Sequence, residues 1–258
     1  MRVEAILFVN WIFWAALSAG TLLVVGITER LGGTTRGYRL FMAWLLAAFA
    51  AILVASELAL PEGVAASTTA DLRRTLTLVF AAGAGAYLLA SIAGWPRSGL
   101  AVVTGLVGMA ALVVLAAAGG TEHAAFFAWQ LVLAALALGA VNAAMLLGHW
   151  YLVTPKLSPA PLRRMMWLLV ACLVLQGIGF VIAVSIGPEA LEGGLGALVW
   201  LRLGVGILLP LVAAGLAIAA SSSASLQAST GLLYIGLALV MAGSIAGASI
   251  AYLTGVPV

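Results

Sequence analysis

The chain of 258 residues is 65% hydrophobic and only 7% charged, with a formal net charge of +3. No basic run with interleaved aromatic residues occurs, so the sequence predicts no nucleic-acid binding. The single cysteine, Cys172, excludes an intrachain disulfide, a CxxC redox pair and a cysteine-ligated cluster.

Eight apolar blocks follow one another along the chain. A helix needs about 20 apolar residues to cross the ~30 Å hydrocarbon core, and each block is long enough. The blocks are continuous rather than alternating, which excludes a transmembrane barrel. The sequence therefore predicts an all-α integral membrane protein, one helical bundle over residues 1–258 in a lipid bilayer. The blocks are Ile6–Gly26, Leu40–Leu60, Thr75–Ala93, Leu100–Ala118, Ala124–Val153, Met166–Ile186, Leu195–Ala219 and Leu232–Leu253.

The first block is interpreted as a spanning helix rather than a cleaved signal peptide. A signal peptide has a basic start and a short apolar stretch. Here Arg2 is balanced by Glu4, and the apolar stretch reaches spanning length.

The few charges are sorted between alternate gaps. Seven of the eleven basic residues lie in the gaps after blocks one, three, five and seven. Seven of the eight acidic residues lie on the other side: in the remaining gaps, at the amino terminus, or at block ends next to those gaps. Short basic loops stay in the cytoplasm, so both termini are predicted to face outward. The basic residues that set this orientation are Arg30, Arg36, Arg39, Arg97, Lys156, Arg163 and Arg164.

The gaps between blocks are too short to hold a soluble domain. They contain no Walker loop and no HExxH motif, and the only partial GxGxxG match, Gly204 and Gly206, lies inside the seventh block without a preceding strand. Any chemistry must therefore use groups inside the bundle or on a partner chain.

Two charged residues fall near the predicted outer ends of their blocks. Glu57 lies in SELALPEG and Arg202 in LVWLRLGVG. An ionisable group at such a depth is costly and usually faces the bundle or a wet cavity. Their similar depth suggests an ion pair, or two walls of one polar pocket; the alternative is an interfacial carboxylate and a snorkelling arginine.

A third polar position lies near the inner end of the fifth block. His149 shares a helix face with Asn142 and Met145. The interpretations are a proton relay, a quinone contact, an axial haem ligand or a histidine that is simply hydrogen-bonded. His123 lies at the other end of the block, roughly 39 Å away at about 1.5 Å per residue. A bis-histidine haem within one chain is therefore excluded, whereas a b-type haem at His149, completed by a methionine, stays open.

Four stretches resemble the membrane anchor of the dimethyl sulfoxide reductase type, within the wider polysulfide-reductase and NrfD-like group. The resemblance spans most of the chain. Its stretches are FWAALSAGTLLV (Phe13–Val24), ASELALPEG (Ala55–Gly63), LALGAVNAAMLLGHWYLV followed by PLRRM, and LVWLRLGVGILLPLVAAGLA.

The resemblance implies a function. Anchors of this group have eight helices with both ends outside, bind a quinone near the outer face and pass electrons to an outer iron–sulfur subunit, generally without haem. Glu57 takes the place of a family histidine linked to quinol oxidation, and Arg202 that of an arginine after a tryptophan. Glutamate is a departure, because its usual pKa is lower, and this leaves the direction of electron flow open. The implied location is the bacterial cytoplasmic (inner) membrane.

Three functions therefore compete. The first is a quinone- or menaquinone-interacting anchor of a respiratory oxidoreductase, with Glu57, Arg202, His149 and Asn142 as quinone-binding or proton-transfer residues. The second is a small transporter, for which inverted repeats and broken helices would be typical; no clear repeat is visible, and Pro210 is the only strong kink signal. The third is a structural or assembly subunit.

Overall fold

The computed structural model describes residues 3–60, 68–118, 123–154, 157–186, 195–222 and 225–254, and every regular element within them is helical. Eight of these helices are long and apolar enough to cross a membrane, which confirms the predicted all-α membrane fold. They are α1 (Val3–Leu31), α2 (Arg36–Leu58), α3 (Thr68–Ala93), α4 (Ser98–Ala118), α5 (Ala124–Val153), α6 (Ala160–Ile186), α7 (Gly196–Ser222) and α8 (Leu226–Thr254).

Glycine and threonine define the described turns between helices. After α1, Gly32 and Gly33 adopt φ values of 77° and 93°, which glycine reaches without a steric penalty. The side chain of Thr35 then accepts a hydrogen bond from the Tyr38 N–H and caps α2. Gly94, with φ 75°, ends α3, and the Trp95 N–H returns to the Ala90 carbonyl. Successive helices consequently run antiparallel across the bundle.

Helices α1 and α5 form the centre of the bundle. Their most apolar windows are 83% and 78% buried, against 33–50% for the other six helices. The outer helices expose large apolar side chains such as Leu89, Val181 and Val212, as expected for surfaces that face lipid. We call the end of the bundle at which odd-numbered helices begin the predicted outer end, since its assignment rests on the charges in the sequence.

The two central helices cross at a pair of glycines. A Cβ atom at Gly139 would collide with the backbone of Gly20, and one at Gly20 would collide with the carbonyl of Ala135. Small residues at such crossings let helix backbones approach closely in lipid. Next to the crossing, the Asn142 amide donates to Thr21 Oγ1 over 3.2 Å, so Asn142 ties α5 to α1.

Replacing Gly139 by alanine should destabilise the bundle by at least about 1–3 kcal/mol, because the new methyl group meets backbone that cannot rotate away. The matched control is Gly85→Ala in α3, where nothing lies within 4 Å of the added Cβ; alanine should be neutral or slightly stabilising there. Unfolding in a detergent titration measures both. Equal stability of the two variants would show that the α1–α5 crossing is looser than described.

The orientation of the bundle can be read by cysteine labelling in a chain whose buried Cys172 is replaced by alanine. Ser158 lies exposed between α5 and α6 at the predicted inner end, and Thr121 lies outside the described residues, in the gap predicted to face outward. We expect Thr121→Cys to react with an impermeant maleimide in intact cells and Ser158→Cys to react only after the membrane is opened. The reverse order would invert the topology.

Candidate functional site

Arg202 lies in a π-helical segment that interrupts α7. The segment runs over Leu201–Leu208, and the Leu209 N–H that follows it donates to the carbonyl of Gly204, five residues earlier. Such insertions are rare and frequently occur at functional sites. Only 3% of the Arg202 surface is exposed, and the residue lies roughly 9 Å below the start of the helix at about 1.5 Å per residue.

A close approach of α7 and α8 positions this segment. A Cβ atom at Gly206 would lie 2.5 Å from the Gly243 Cα and 3.5 Å from the Arg202 guanidinium. Gly206 and Gly243 thus let the two backbones touch where the π-helical segment turns Arg202 into the bundle. Of the two glycines in the partial GxGxxG match, Gly206 packs against α8, whereas nothing lies within 4 Å of a Cβ at Gly204.

The Arg202 side chain is held by a buried glutamine. Arg202 Nη2 donates to Gln176 Oε1 over 2.6 Å, and Gln176 Nε2 donates to the Leu133 carbonyl over 3.3 Å. Gln176 is 1% exposed. These hydrogen bonds fix the planes of both groups, and Arg202 also lines the space beside it.

That space is a narrow, partly enclosed cavity of about 30 Å³ between α1, α5, α7 and α8. Its size suits one or two water molecules. Most of its wall is apolar, and Arg202 and Gln130 are its main polar groups. Lining residues include Ile12, Phe13, Phe127, Gln130, Arg202 and Ser244.

Gln130 is the unusual member of this wall. It is the seventh residue of α5, as Arg202 is of α7, so the two lie at the same depth. Gly179 of α6 makes room for its amide. Gln130 is 4% exposed, yet neither Oε1 nor Nε2 has a hydrogen-bond partner among the described residues. Since a buried amide without partners costs free energy, this arrangement suggests a bound molecule or water.

A groove on the lipid-facing side lies next to the cavity. It has a volume of about 230 Å³, is lined mostly by apolar surface of α1 and α8, and includes Asn10 and Ser249. Phe13 lines both the groove and the Arg202–Gln130 cavity, so the two spaces meet at this residue.

The predicted pairing of Glu57 with Arg202 is wrong. Glu57 Oε1 lies 2.8 Å from Arg73 Nη2, and Glu57 Oε2 also accepts a hydrogen bond from Arg73 Nε over 3.3 Å. The Arg73 guanidinium lies 5.3 Å from the ring centre of Trp11. Glu57 and Arg202 line different cavities, because Trp11 points to one side of α1 while Phe13 points to the other.

His149 lies apart from the Arg202 cavity. It is exposed near the inner end of α5, and its Nδ1 is 3.4 Å from the Tyr234 hydroxyl. Asn142 and Met145 are buried, so the three residues do not line one pocket. A b-type haem at His149 stays a prediction. The two histidines do lie at opposite ends of α5.

Three residues of these clusters, Gln130, Gln176 and Arg73, were not predicted from the sequence, because the candidates were charged residues and histidines within the predicted spans and their neighbours on a helix face. Gln130 and Gln176 are polar residues inside apolar blocks, and that interruption was the available signal. Arg73 was counted only as a loop charge, since the predicted third block began at Thr75, whereas α3 begins at Thr68.

Together the fold and the clusters define a polytopic helical membrane protein with a buried polar site near one end. Comparison with known proteins found no matching family model, no matching curated protein and no matching solved structure.

Proposed function

We propose that this chain is the quinone-interacting membrane anchor of a multi-subunit respiratory oxidoreductase, with the Arg202–Gln130 cavity as the head-group site. The observation that carries the proposal is the buried Gln130 amide, which has no hydrogen-bond partner among the described residues and faces an apolar cavity beside a lipid-facing groove. A lipophilic molecule with a small polar head fits this combination.

The polar groups suit both redox forms of such a head. A quinone carbonyl accepts hydrogen bonds, which the Arg202 guanidinium and Gln130 Nε2 can donate. A quinol hydroxyl donates a hydrogen bond, which Gln130 Oε1 can accept. Oxidation of the quinol releases two electrons and two protons; the proposed iron–sulfur partner on the outer side takes the electrons, and the outer water takes the protons. Reduction runs the same steps in reverse.

The path of the ligand is lateral in this proposal. The isoprenoid tail lies in the groove between α1 and α8, and the head displaces the Phe13 ring to reach Arg202. This movement is part of the proposal because a cavity of about 30 Å³ has no room for a six-membered ring. Glu57 has no role at the head group in this proposal, because it pairs with Arg73 on the other side of α1 from the Arg202 cavity.

Purification of the tagged chain from its native membrane in a mild detergent tests the proposal. We expect a co-purifying subunit with the electron paramagnetic resonance signal of an iron–sulfur cluster, and quinone or menaquinone in the solvent extract. The proposed location is a bacterial cytoplasmic membrane. A chain that purifies alone and without quinone, under conditions in which known respiratory complexes stay intact, would contradict this function.

A second candidate function, transport of a small anion, is favoured by the π-helical segment Leu201–Leu208. Transporters bind substrates beside interrupted helices near the membrane midplane, and the Arg202 guanidinium would attract an anion. This function predicts that the purified chain alone moves a solute into liposomes, whereas the anchor would be inactive in that assay.

A further inference from the structure

A second polar cavity lies at the opposite, predicted inner end of the bundle. It has a volume of about 330 Å³ and lies where α1, α2 and the α3–α4 turn meet. Its wall includes Glu29, Arg39, Trp95, Arg97 and Ser98. Unlike the Arg202 cavity, it is open at the bundle surface and mainly polar.

One cation of this cavity is held in place by the protein. Glu29 accepts a hydrogen bond from the Tyr87 hydroxyl over 2.7 Å, and its other oxygen lies 3.5 Å from Arg97 Nε. Arg97 Nη1 also donates to the Trp95 carbonyl over 3.2 Å. The side chains of Arg97 and Glu29 are 10% and 5% exposed, so this ion pair forms a fixed and largely buried part of the cavity wall.

The positive charges around this cavity outnumber its single carboxylate, Glu29. Arg39 lines the same cavity, and its Nε is buried without a hydrogen-bond partner among the described residues. The Arg30 guanidinium lies beside the first turn of α4, 3.0 Å from where a Cβ at Gly99 would stand. The amino terminus of α4 adds free N–H groups and the positive end of the helix dipole. Arg39 and Arg97 thus line a cavity that holds one carboxylate, and Arg30 adds a further positive charge near the first turn of α4.

An apolar stripe leads along α3 to this basic cavity. Leu89 and Ile92 lie three residues apart on α3, and Trp95 follows the end of the helix; they are 68%, 49% and 66% exposed. Tryptophan is typical of the membrane–water interface. A molecule that places a phosphate between the arginines and an acyl chain along this stripe would contact both surfaces at once.

We infer that this cavity binds the phosphate of an anionic phospholipid, with Arg39 as the main ligand that the protein leaves unpaired and Arg97 as its fixed neighbour. Basic pockets between transmembrane helices are suited to anionic head groups. Guanidinium groups bind phosphate through paired, charge-assisted hydrogen bonds. The inference is independent of the quinone proposal.

The test titrates the delipidated chain, in detergent, with phosphatidylglycerol and follows its melting temperature, from which an apparent Kd is obtained. Arg39→Gln should weaken phosphatidylglycerol about tenfold, the effect of one lost charge-assisted hydrogen bond. Arg36→Gln is the matched control, because it removes the same charge three residues away at an exposed position, and it should bind as the wild type does. Arg39→Lys should fall between the two.

The remaining arms identify the ligand. Phosphatidylcholine and inorganic phosphate should each give little shift, the first because its head carries no net charge and the second because it lacks the acyl chain. An equal shift with inorganic phosphate would assign the cavity to a free anion and overturn the lipid inference. An equal shift with phosphatidylcholine, or unchanged binding by Arg39→Gln, would also overturn it.

Discussion

Replacing Arg202 by methionine should weaken binding of a quinone analogue by about tenfold or more, since a hydrogen bond to a charged group contributes about 1.5–3 kcal/mol. Arg202→Lys should recover little, because a single ammonium cannot both hold Gln176 and reach the cavity in the plane of a guanidinium. Binding is measured on the chain in lipid nanodiscs with a fluorescent or radiolabelled analogue. Arg164→Met, exposed at the other end of the bundle, is the control and should bind normally.

Loss of Arg202 also leaves Gln176 Oε1 without the hydrogen bond from Arg202 and could lower stability as well as binding. A second variant therefore separates the effect on binding from the effect on stability. Gln130→Met keeps the size of the side chain and removes an amide that has no partner among the described residues. This variant should melt at or above the wild-type temperature, because a buried unsatisfied polar group is gone, while its affinity for the analogue falls. Wild-type affinity in both Arg202→Met and Gln130→Met would refute the head-group site.

Breaking the Glu57–Arg73 pair should have the largest effect on stability. Removal of one partner of a buried ion pair typically costs about 3–5 kcal/mol, because the other charge is left buried alone. Glu57→Leu leaves the buried Arg73 guanidinium beside the Trp11 ring without the carboxylate that pairs with it. Unfolding by detergent titration measures the loss.

The double variant Glu57→Leu, Arg73→Met distinguishes an ion pair from general packing. Apolar residues of similar volume often replace a buried pair at little cost or with a gain, so the double variant should be more stable than either single variant. Asp71→Asn, at an exposed position of the same outer cavity, should change stability by less than about 0.5 kcal/mol. If the single-variant losses simply add in the double variant, the two residues do not stabilise the fold as a pair.

The sequence predicted the spans well because the need to satisfy backbone hydrogen bonds in lipid leaves few choices. Continuous apolar runs therefore located all eight helices. The sequence could not reveal which helices are central, since α1 and α5 are no more apolar than the peripheral α4, α6 and α7. Their position follows from close crossings such as Gly20 with Gly139.

The candidate site was predicted only in part, because depth along a helix can be read from sequence but rotation about its axis cannot. Glu57 and Arg202 do lie near the same end of the bundle, yet α1 stands between them. The sequence left open whether Arg202 faces the bundle or snorkels to the interface, whereas the structure buries it in a π-helical segment next to the close approach of Gly206 and Gly243. Gln130 carries no charge, and only the structure gives its surroundings.

Photolabelling with an azidoquinone tests the central claim most directly. The chain in nanodiscs is irradiated with the analogue, and the modified peptides are mapped by mass spectrometry. The proposed quinone site at Arg202 predicts label on α1 near Phe13 and on α5 near Gln130, suppressed by an excess of unlabelled quinone and reduced in Arg202→Met. Label spread over the lipid-facing helices and unaffected by competitor, or confined to the His149 end of α5, would contradict it.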